Sequence, residues 1–337
     1  MMPLRFILVG MGARSRIWRR VLDQHPDCVL VGMVEHDADR LKAALMESPD
    51  VAAGSTLDEI TGQVDADIAL LCTPPANRND QIAAACRAGL AILAEKPLAD
   101  TLAGAEAYVA AAAAAGVPLA VGLNFRYLAV TQALKKLFAP SRLGRPEFGR
   151  FTYERWRDGH QPHLNKYPLT MRQPMLWEQS IHHFDLMRFV YDAEPVSISA
   201  RTFNPSWSMY EGDANVAALI SFEGGIEVTY QGTWAGNWKQ MGFEWRTECR
   251  HGIAVQSEMF GDLAFALRED VELSPVDLRD EEPWFDDARG FLEDFVGHFR
   301  DGTALPCTGA DHLKSLRMVE ACIQASASGG TVSLHEL

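Results

Sequence analysis

Across the first third of the chain, short apolar runs alternate with stretches whose apolar positions recur every three or four residues. The runs at 4–9, 29–35, 68–72 and 91–94 read as strands, and the stretches at 17–24, 38–46 and 81–88 between them as helices. An alanine-rich stretch at 103–115 is stopped by Gly116 and Pro118 as a helix would be, and 117–122 follows as a further strand. This alternation predicts an α/β fold with a doubly wound parallel sheet and right-handed crossovers, as a first domain over 1–122.

From about Phe148 the pattern changes. Strand-like stretches at 148–156, 196–203, 215–222, 226–234, 242–247 and 253–257 have little helix between the later ones, which predicts a mostly antiparallel sheet. A helix is expected early in this half, over 177–191, and two more, at 284–300 and 311–328, close the chain. The stretch 123–337 therefore reads as an α+β domain, with helices on one sheet face and the other face left for a partner subunit.

A length of 337 residues fits two domains, each with its own core. The net charge of -14 opposes phosphate backbones and anionic lipid, so neither nucleic acid nor a membrane surface is expected as partner. No apolar stretch approaches the length of a membrane span, and the apolar opening at 6–9 runs into a glycine turn, so a cytoplasmic protein is expected. Six scattered cysteines without C-x-x-C spacing suggest reduced thiols and no metal site.

Candidate chemistry starts at the first turn. Gly10-Met11-Gly12-Ala13-Arg14-Ser15 follows a strand and opens a helix, where glycines let backbone N–H groups approach a pyrophosphate at the positive helix end. The third small position is Ser15, so the fingerprint is imperfect, and a plain strand-to-helix turn fits as well. Glu35, at the end of the second strand, is placed to accept from ribose hydroxyls and to repel a 2'-phosphate, which favours NAD, while His36 and Arg40 keep NADP open. Thr73-Pro74-Pro75 follows a strand at the sheet's carboxyl end, as a cover for the cofactor or as a simple turn.

Glu95-Lys96-Pro97 puts a lysine at a strand end, a position that surface lysines also occupy. On the predicted helix 177–191, Glu178, His182 and Asp185 fall within an arc of roughly 60° at 100° per residue. A carboxylate beside an imidazole orients it and suits a group that exchanges protons near neutral pH, although the same spacing also occurs in plain surface pairs. His183 faces away and reads as structural. The stretch before this helix carries Trp156, Arg157, His160, His163, Asn165, Lys166, Tyr167 and Arg172, which suit a hydroxyl-rich substrate, a solvated loop or a subunit contact.

Together these residues resemble the glucose-fructose oxidoreductase, inositol dehydrogenase and MocA-like family along nearly the whole chain. The resemblance rests on Gly10 and Gly12, Glu35, Thr73-Pro74-Pro75, Glu95-Lys96-Pro97, Asn124-Phe125-Arg126-Tyr127, Glu178 to Asp185 and a closing stretch from Gly302 to Gly329. It implies a Rossmann domain followed by a domain with a large open sheet, and NAD(P)-dependent chemistry on the CH–OH groups of a sugar or cyclitol. It also implies a homodimer or homotetramer formed through that sheet.

By the same resemblance, Lys96 orients the reacting hydroxyl, His182 is the catalytic histidine, and Glu178 takes the place usually held by aspartate. Gly10, Gly12, Ala13, Arg14, Glu35, Thr73, Pro74, Glu95 and Lys96 would bind the cofactor. Asn124, Arg126, Tyr127, Trp156, His163, Arg172 and Asp185 would join Lys96, Glu178 and His182 around the substrate. Ser180 replaces a frequent glycine, and Arg78 stands where many members carry histidine. A dehydrogenase is the first reading. Transient oxidation assisting glycoside elimination, isomerisation or hydrolysis, and a non-catalytic sugar or nucleotide sensor, stand as alternatives.

Overall fold

The first apolar run forms β1 (Leu4–Val9), and the chain continues through α1 (Ala13–Gln24), β2 (Cys28–Val34), α2 (Ala38–Glu47), β3 (Ala52–Gly54), α3 (Leu57–Thr61), β4 (Ile68–Leu71), α4 (Asn79–Ala88), β5 (Ala91–Ala94), α5 (Leu102–Ala115) and β6 (Leu119–Val121). This computed structural model describes residues 2–76 and 78–337. Among them, six strands form a parallel sheet in the order β3-β2-β1-β4-β5-β6. The order reverses between β1 and β4, and the carboxyl ends flanking such a switch point are where doubly wound sheets take their ligands. Every residue of β4 and β5 is buried, so these strands read as continuous apolar runs rather than alternating ones. β3 and α3 are too short for periodicity to reveal, and the pattern predicts neither.

The chain then forms α6 (Ala129–Leu137), β7 (Pro146–Glu154), α7 (Ile181–Tyr191), β8 (Pro195–Phe203), β9 (Asn215–Phe222), β10 (Ile226–Thr233), β11 (Gly242–Cys249), β12 (Gly252–Glu258), β13 (Gly261–Leu267), β14 (Ser274–Pro275), α8 (Asp286–Asp301), α9 (Gly309–Ser328) and β15 (Thr331–Ser333). The described residues build a second sheet ordered β14-β13-β12-β11-β7-β10-β9-β8-β15. Its pairs are antiparallel except β7 with β10. β10 shows why one face is covered and the other open: Ile226, Val228 and Tyr230 are buried, while Glu227 and Thr229 between them are exposed.

The compact units are drawn differently from the boundary expected at residue 122. One comprises the described residues up to Tyr127 together with Glu282–Leu313, the other Leu128–Glu281 and Lys314–Leu337. The reason is a returning segment that completes the first unit. Val121 N–H donates to the Cys307 carbonyl at 2.8 Å, and Asn124 donates to Asp287. Arg126 meets Asp311 at 2.6 Å, and Tyr127 donates to Asp294 at 2.8 Å. A change of hydrophobic pattern marks where a new sheet begins, but it carries no trace of a later segment coming back.

The helix expected over 177–191 also differs. Met175–Ser180 is a π-helical turn, with Ile181 N–H reaching back to the Leu176 carbonyl, and regular α-helix begins only at Ile181. Nearly every residue of α7 is buried, so it is a core helix rather than an amphipathic surface helix. No helix among the described residues is long and apolar enough to cross a membrane.

Candidate active site

Gly10 has φ +92°, and a Cβ there would lie 3.0 Å from the Thr73 side chain, so glycine is required to bring the first turn against the end of β4. Gly12 precedes α1, whose first turn has no side-chain cap and no acidic residue. A Cβ on Gly12 would meet no atom within 4 Å. Unclaimed N–H groups at the positive end of a helix, facing open space, fit an anionic pyrophosphate. Ala13 is exposed at this end, while Ser15 is buried with its hydroxyl donated to the Gly12 carbonyl at 2.6 Å. A small residue is what that packing admits.

Glu35 ties this turn to the end of β2. Its Oε2 accepts from Met11 N–H at 2.8 Å, its Oε1 accepts from Asp37 N–H at 3.1 Å, and His36 Nδ1 lies 3.0 Å from Oε1. A carboxylate offers about four acceptor positions, so Glu35 can hold the glycine turn and retain capacity for a ribose hydroxyl.

The loop after β5 is fixed through both its backbone and its acid. Glu95 Oε1 accepts from Arg14 Nε at 2.5 Å and from Trp18 Nε1 at 2.6 Å. Arg14, expected at the cofactor, gives its Nε to this carboxylate, and its guanidinium lies near the rings of Trp18 and Trp284. Burial disfavours its charge, but Glu95 outweighs that and holds the Arg14 pKa above its ordinary value. Arg78, 1% exposed, reaches into the same loop. Its Nη1 donates to the carbonyls of Glu95, Pro97 and Leu98 at 2.6, 2.9 and 3.1 Å, and its Nη2 to the Thr73 carbonyl. Leu98 N–H donates to His312 Nε2 at 3.3 Å. Lys96, half-buried and followed by a cis proline, sits within this frame. Thr73 donates its hydroxyl to Gln81, and Pro74 is exposed.

In the second unit His182 is 4% exposed, and beside it His183 is buried in a chain of neutral groups. Gln179 Nε2 lies 3.0 Å from His183 Nε2, His183 Nδ1 lies 2.8 Å from Tyr230 Oη, and Tyr230 donates to Ser180 Oγ at 2.8 Å. Because the single Tyr230 proton goes to Ser180, His183 carries its proton on Nδ1 and accepts from the Gln179 amide. Burial holds His183 at a pKa of about 3, so it stays neutral, as befits the structural role expected of it. The same chain pins the π-helical turn through Gln179 and Ser180. On that turn Glu178 is half-buried and accepts from Tyr167 Oη at 2.8 Å. Wide turns of this kind recur at functional sites.

The polar stripe expected on a regular helix is therefore divided, with Glu178 on the π turn and His182 and Asp185 on α7. Asp185, 2% exposed, accepts from Ser315 Oγ at 3.1 Å and lies 3.6 Å from Arg188, which itself holds Glu194 at 2.7 Å. It is thus tied into an ion-pair network within its own unit. Trp156, 37% exposed, bridges Ala235 at the end of β7, while His163 and Arg172 are exposed. Asn124, Arg126 and Tyr127, expected at the substrate, give polar atoms to Asp287, Asp311 and Asp294 of the returning segment. Gln179, Tyr230 and Ser180 escaped the sequence reading as a set, because Tyr230 comes from a strand fifty residues away. The one available signal was the doubled histidine beside Gln179.

Among the described residues no group of three or more His, Cys, Asp or Glu is placed to hold a metal ion. Comparison with known proteins shows where the chain belongs. A D-apiose dehydrogenase from Paraburkholderia graminis is 25% identical over 98% of this chain and 89% of its own. An inositol 2-dehydrogenase from Rhizobium meliloti is 24% identical over 99% of this chain and 100% of its own. The crystal structure of an oxidoreductase from Agrobacterium radiobacter, in complex with NAD+, L-tartaric acid and magnesium, has the same fold, with a TM-score of 0.89, 20% identity and 99% coverage of both chains. The model of the oxidoreductase family with an NAD-binding Rossmann fold matches residues 4–123, and that of the GFO/IDH/MocA C-terminal domain matches residues 131–254. With both matched in order along one chain, the protein belongs to the GFO/IDH/MocA family of oxidoreductases.

Proposed function

We propose that the protein is an NAD-dependent dehydrogenase acting on a hydroxyl-bearing carbon of a sugar, sugar derivative or cyclitol. The observation that carries this reading is the fixed loop around Lys96, at the carboxyl end of the sheet whose α1 N-terminus stands open beside Gly12. Gly10, Gly12 and Ala13 would hold the pyrophosphate and Glu35 the adenosine ribose. Bound NAD would supply the acceptor for the hydride that leaves the substrate carbon. Lys96 holds the hydroxyl oxygen and offsets the negative charge growing on it, and His182 takes the hydroxyl proton. Two electrons thus leave with the hydride and one proton with the imidazole, which balances the oxidation. Glu178, oriented by Tyr167, assists the substrate from the π turn. The dehydrogenases of D-apiose and inositol among the relatives support a polyhydroxylated substrate. The open face of the second sheet, where Phe148 is 57% and Leu219 48% exposed, is where we place a second copy of the chain.

The first measurement is absorbance of reduced nicotinamide with NAD and with NADP against aldoses, uronic acids, inositols and glycosides. Growth is expected with NAD and one class of polyol, and NADP is expected to be the poorer cofactor because of Glu35. Lys96→Met and His182→Ala should each lower turnover by about 10²- to 10⁴-fold while retaining NAD binding. Turnover retained in both variants would remove the assignment. A flat trace with NAD bound would favour transient oxidation, without net reduction of the cofactor.

A further inference from the structure

Arg78 is a buried guanidinium to which the function above gives no part. It leaves the start of α4 and enters the backbone of two loops at the carboxyl end of one sheet. From the loop after β4 it takes the Thr73 carbonyl; from the loop after β5 it takes the carbonyls of Glu95, Pro97 and Leu98. The acceptors on the second loop come from the residue before Lys96 and the two after it. Three carbonyl dipoles converging on one nitrogen fix the path of the chain across Lys96, and Leu98 N–H is held in turn by buried His312.

We propose that Arg78 is a positioning residue for Lys96, holding the lysine loop in register with the Thr73 loop through a fork that no other side chain reproduces. The proposal rests on the assignment of Lys96 to the substrate oxygen. A planar guanidinium presents several donors in fixed directions, so Nη1 can serve one loop while Nη2 serves the other. A lysine ammonium is a single point on a flexible stem, and a methionine donates nothing. Loss of the fork lets the lysine loop shift, and a shift near 1 Å is enough to cost about 100-fold in turnover.

The test uses the full-length protein with Arg78→Lys and Arg78→Met. Melting temperature and NAD binding, read by quenching of tryptophan fluorescence, establish that each variant is folded. Arg78→Met is expected to lower kcat by about 100-fold and Arg78→Lys by about tenfold, with kcat/KM falling in proportion. In the Lys96→Met background Arg78→Lys should cost no further turnover, because its effect passes through the lysine. A readout independent of turnover is labelling by trinitrobenzenesulfonate, followed by peptide mass spectrometry. The labelling rate of Lys96 should change severalfold in Arg78→Lys while Lys135 and Lys314 keep theirs. An unchanged Lys96 rate, or an undiminished Arg78 loss in the Lys96→Met background, overturns the proposal. If Lys96→Met itself keeps turnover, the function assigned to the lysine has failed and Arg78 falls with it. If Lys96→Met is inactive while both Arg78 variants turn over like the parent, the Arg78 inference alone fails.

Discussion

The surroundings of Lys96 and of His182 solve one problem with opposite chemistry. In the first unit, two cations do the fixing: half-buried Arg14 on the Glu95 carboxylate and buried Arg78 on four carbonyls, one of them in the neighbouring Thr73 loop. In the second, a histidine kept neutral by burial, a tyrosine, a serine and an amide form an uncharged chain beneath the π turn. Buried charge gives stiff geometry that depends little on mild acid, since guanidinium groups keep their protons. A neutral imidazole gives a frame that acid can undo. The lysine loop and the histidine helix should therefore fail under different insults.

Breaking the Arg14–Glu95 pair should give the largest effect. Arg14→Met leaves Glu95 buried beside Trp18 without its cation and is expected to cost about 3–5 kcal/mol, read as a lower urea midpoint of the first unit. Adding Glu95→Gln should restore most of that loss, and failure to do so would mean that the pair contributes shape rather than charge.

Next comes pH. The folded-state pKa of His183 lies at about 3, below the ordinary imidazole value near 6.5, so between these values the unfolded chain binds the proton and the folded chain does not. The stability this contributes is complete above pH 6.5 and falls as the pH drops, by about 2 kcal/mol between pH 6.5 and 5. His183→Gln should flatten that dependence in the second unit's unfolding while lowering its stability at pH 7. An equally steep acid loss in the variant would place the titrating group elsewhere. Glu194, held below the usual carboxylate range by Arg188 and Lys314 against the cost of its burial, adds a loss of the same sign at lower pH.

The smallest effect is expected at Tyr167→Phe, which removes the bond to Glu178 and should cost about 1 kcal/mol of stability. A larger loss in kcat than in melting temperature would show that this hydroxyl orients the acid rather than merely anchoring the loop.

The two units were also unequally legible in the sequence. β4 and β5 announce themselves because strands buried on both faces are unbroken apolar runs, β1 and β2 because they are mostly apolar and end in buried residues, and Gly10 marks its turn because the local backbone demands it. Lys96 could be singled out, but not the means by which it is held, since the Arg78 fork closes on carbonyls and carbonyls have no sequence signature. In the second unit His182 and Glu178 are singled out by spacing on an assumed regular helix. The π turn at Met175–Ser180 was invisible because a run of buried residues fits either helical pitch. Asn124, Arg126 and Tyr127 stand out in the sequence only through the family resemblance, and their acidic partners lie some 160 residues or more further along.

That separation bears on how the chain is made. The nucleotide-binding unit emerges from the ribosome with its last strand in place and three polar groups still awaiting Asp287, Asp294 and Asp311. At about 5–20 residues per second, the intervening second unit takes roughly ten to thirty seconds to appear. During that interval the unit that begins first cannot be finished, and a product truncated after β14 would carry a nucleotide fold that never closes.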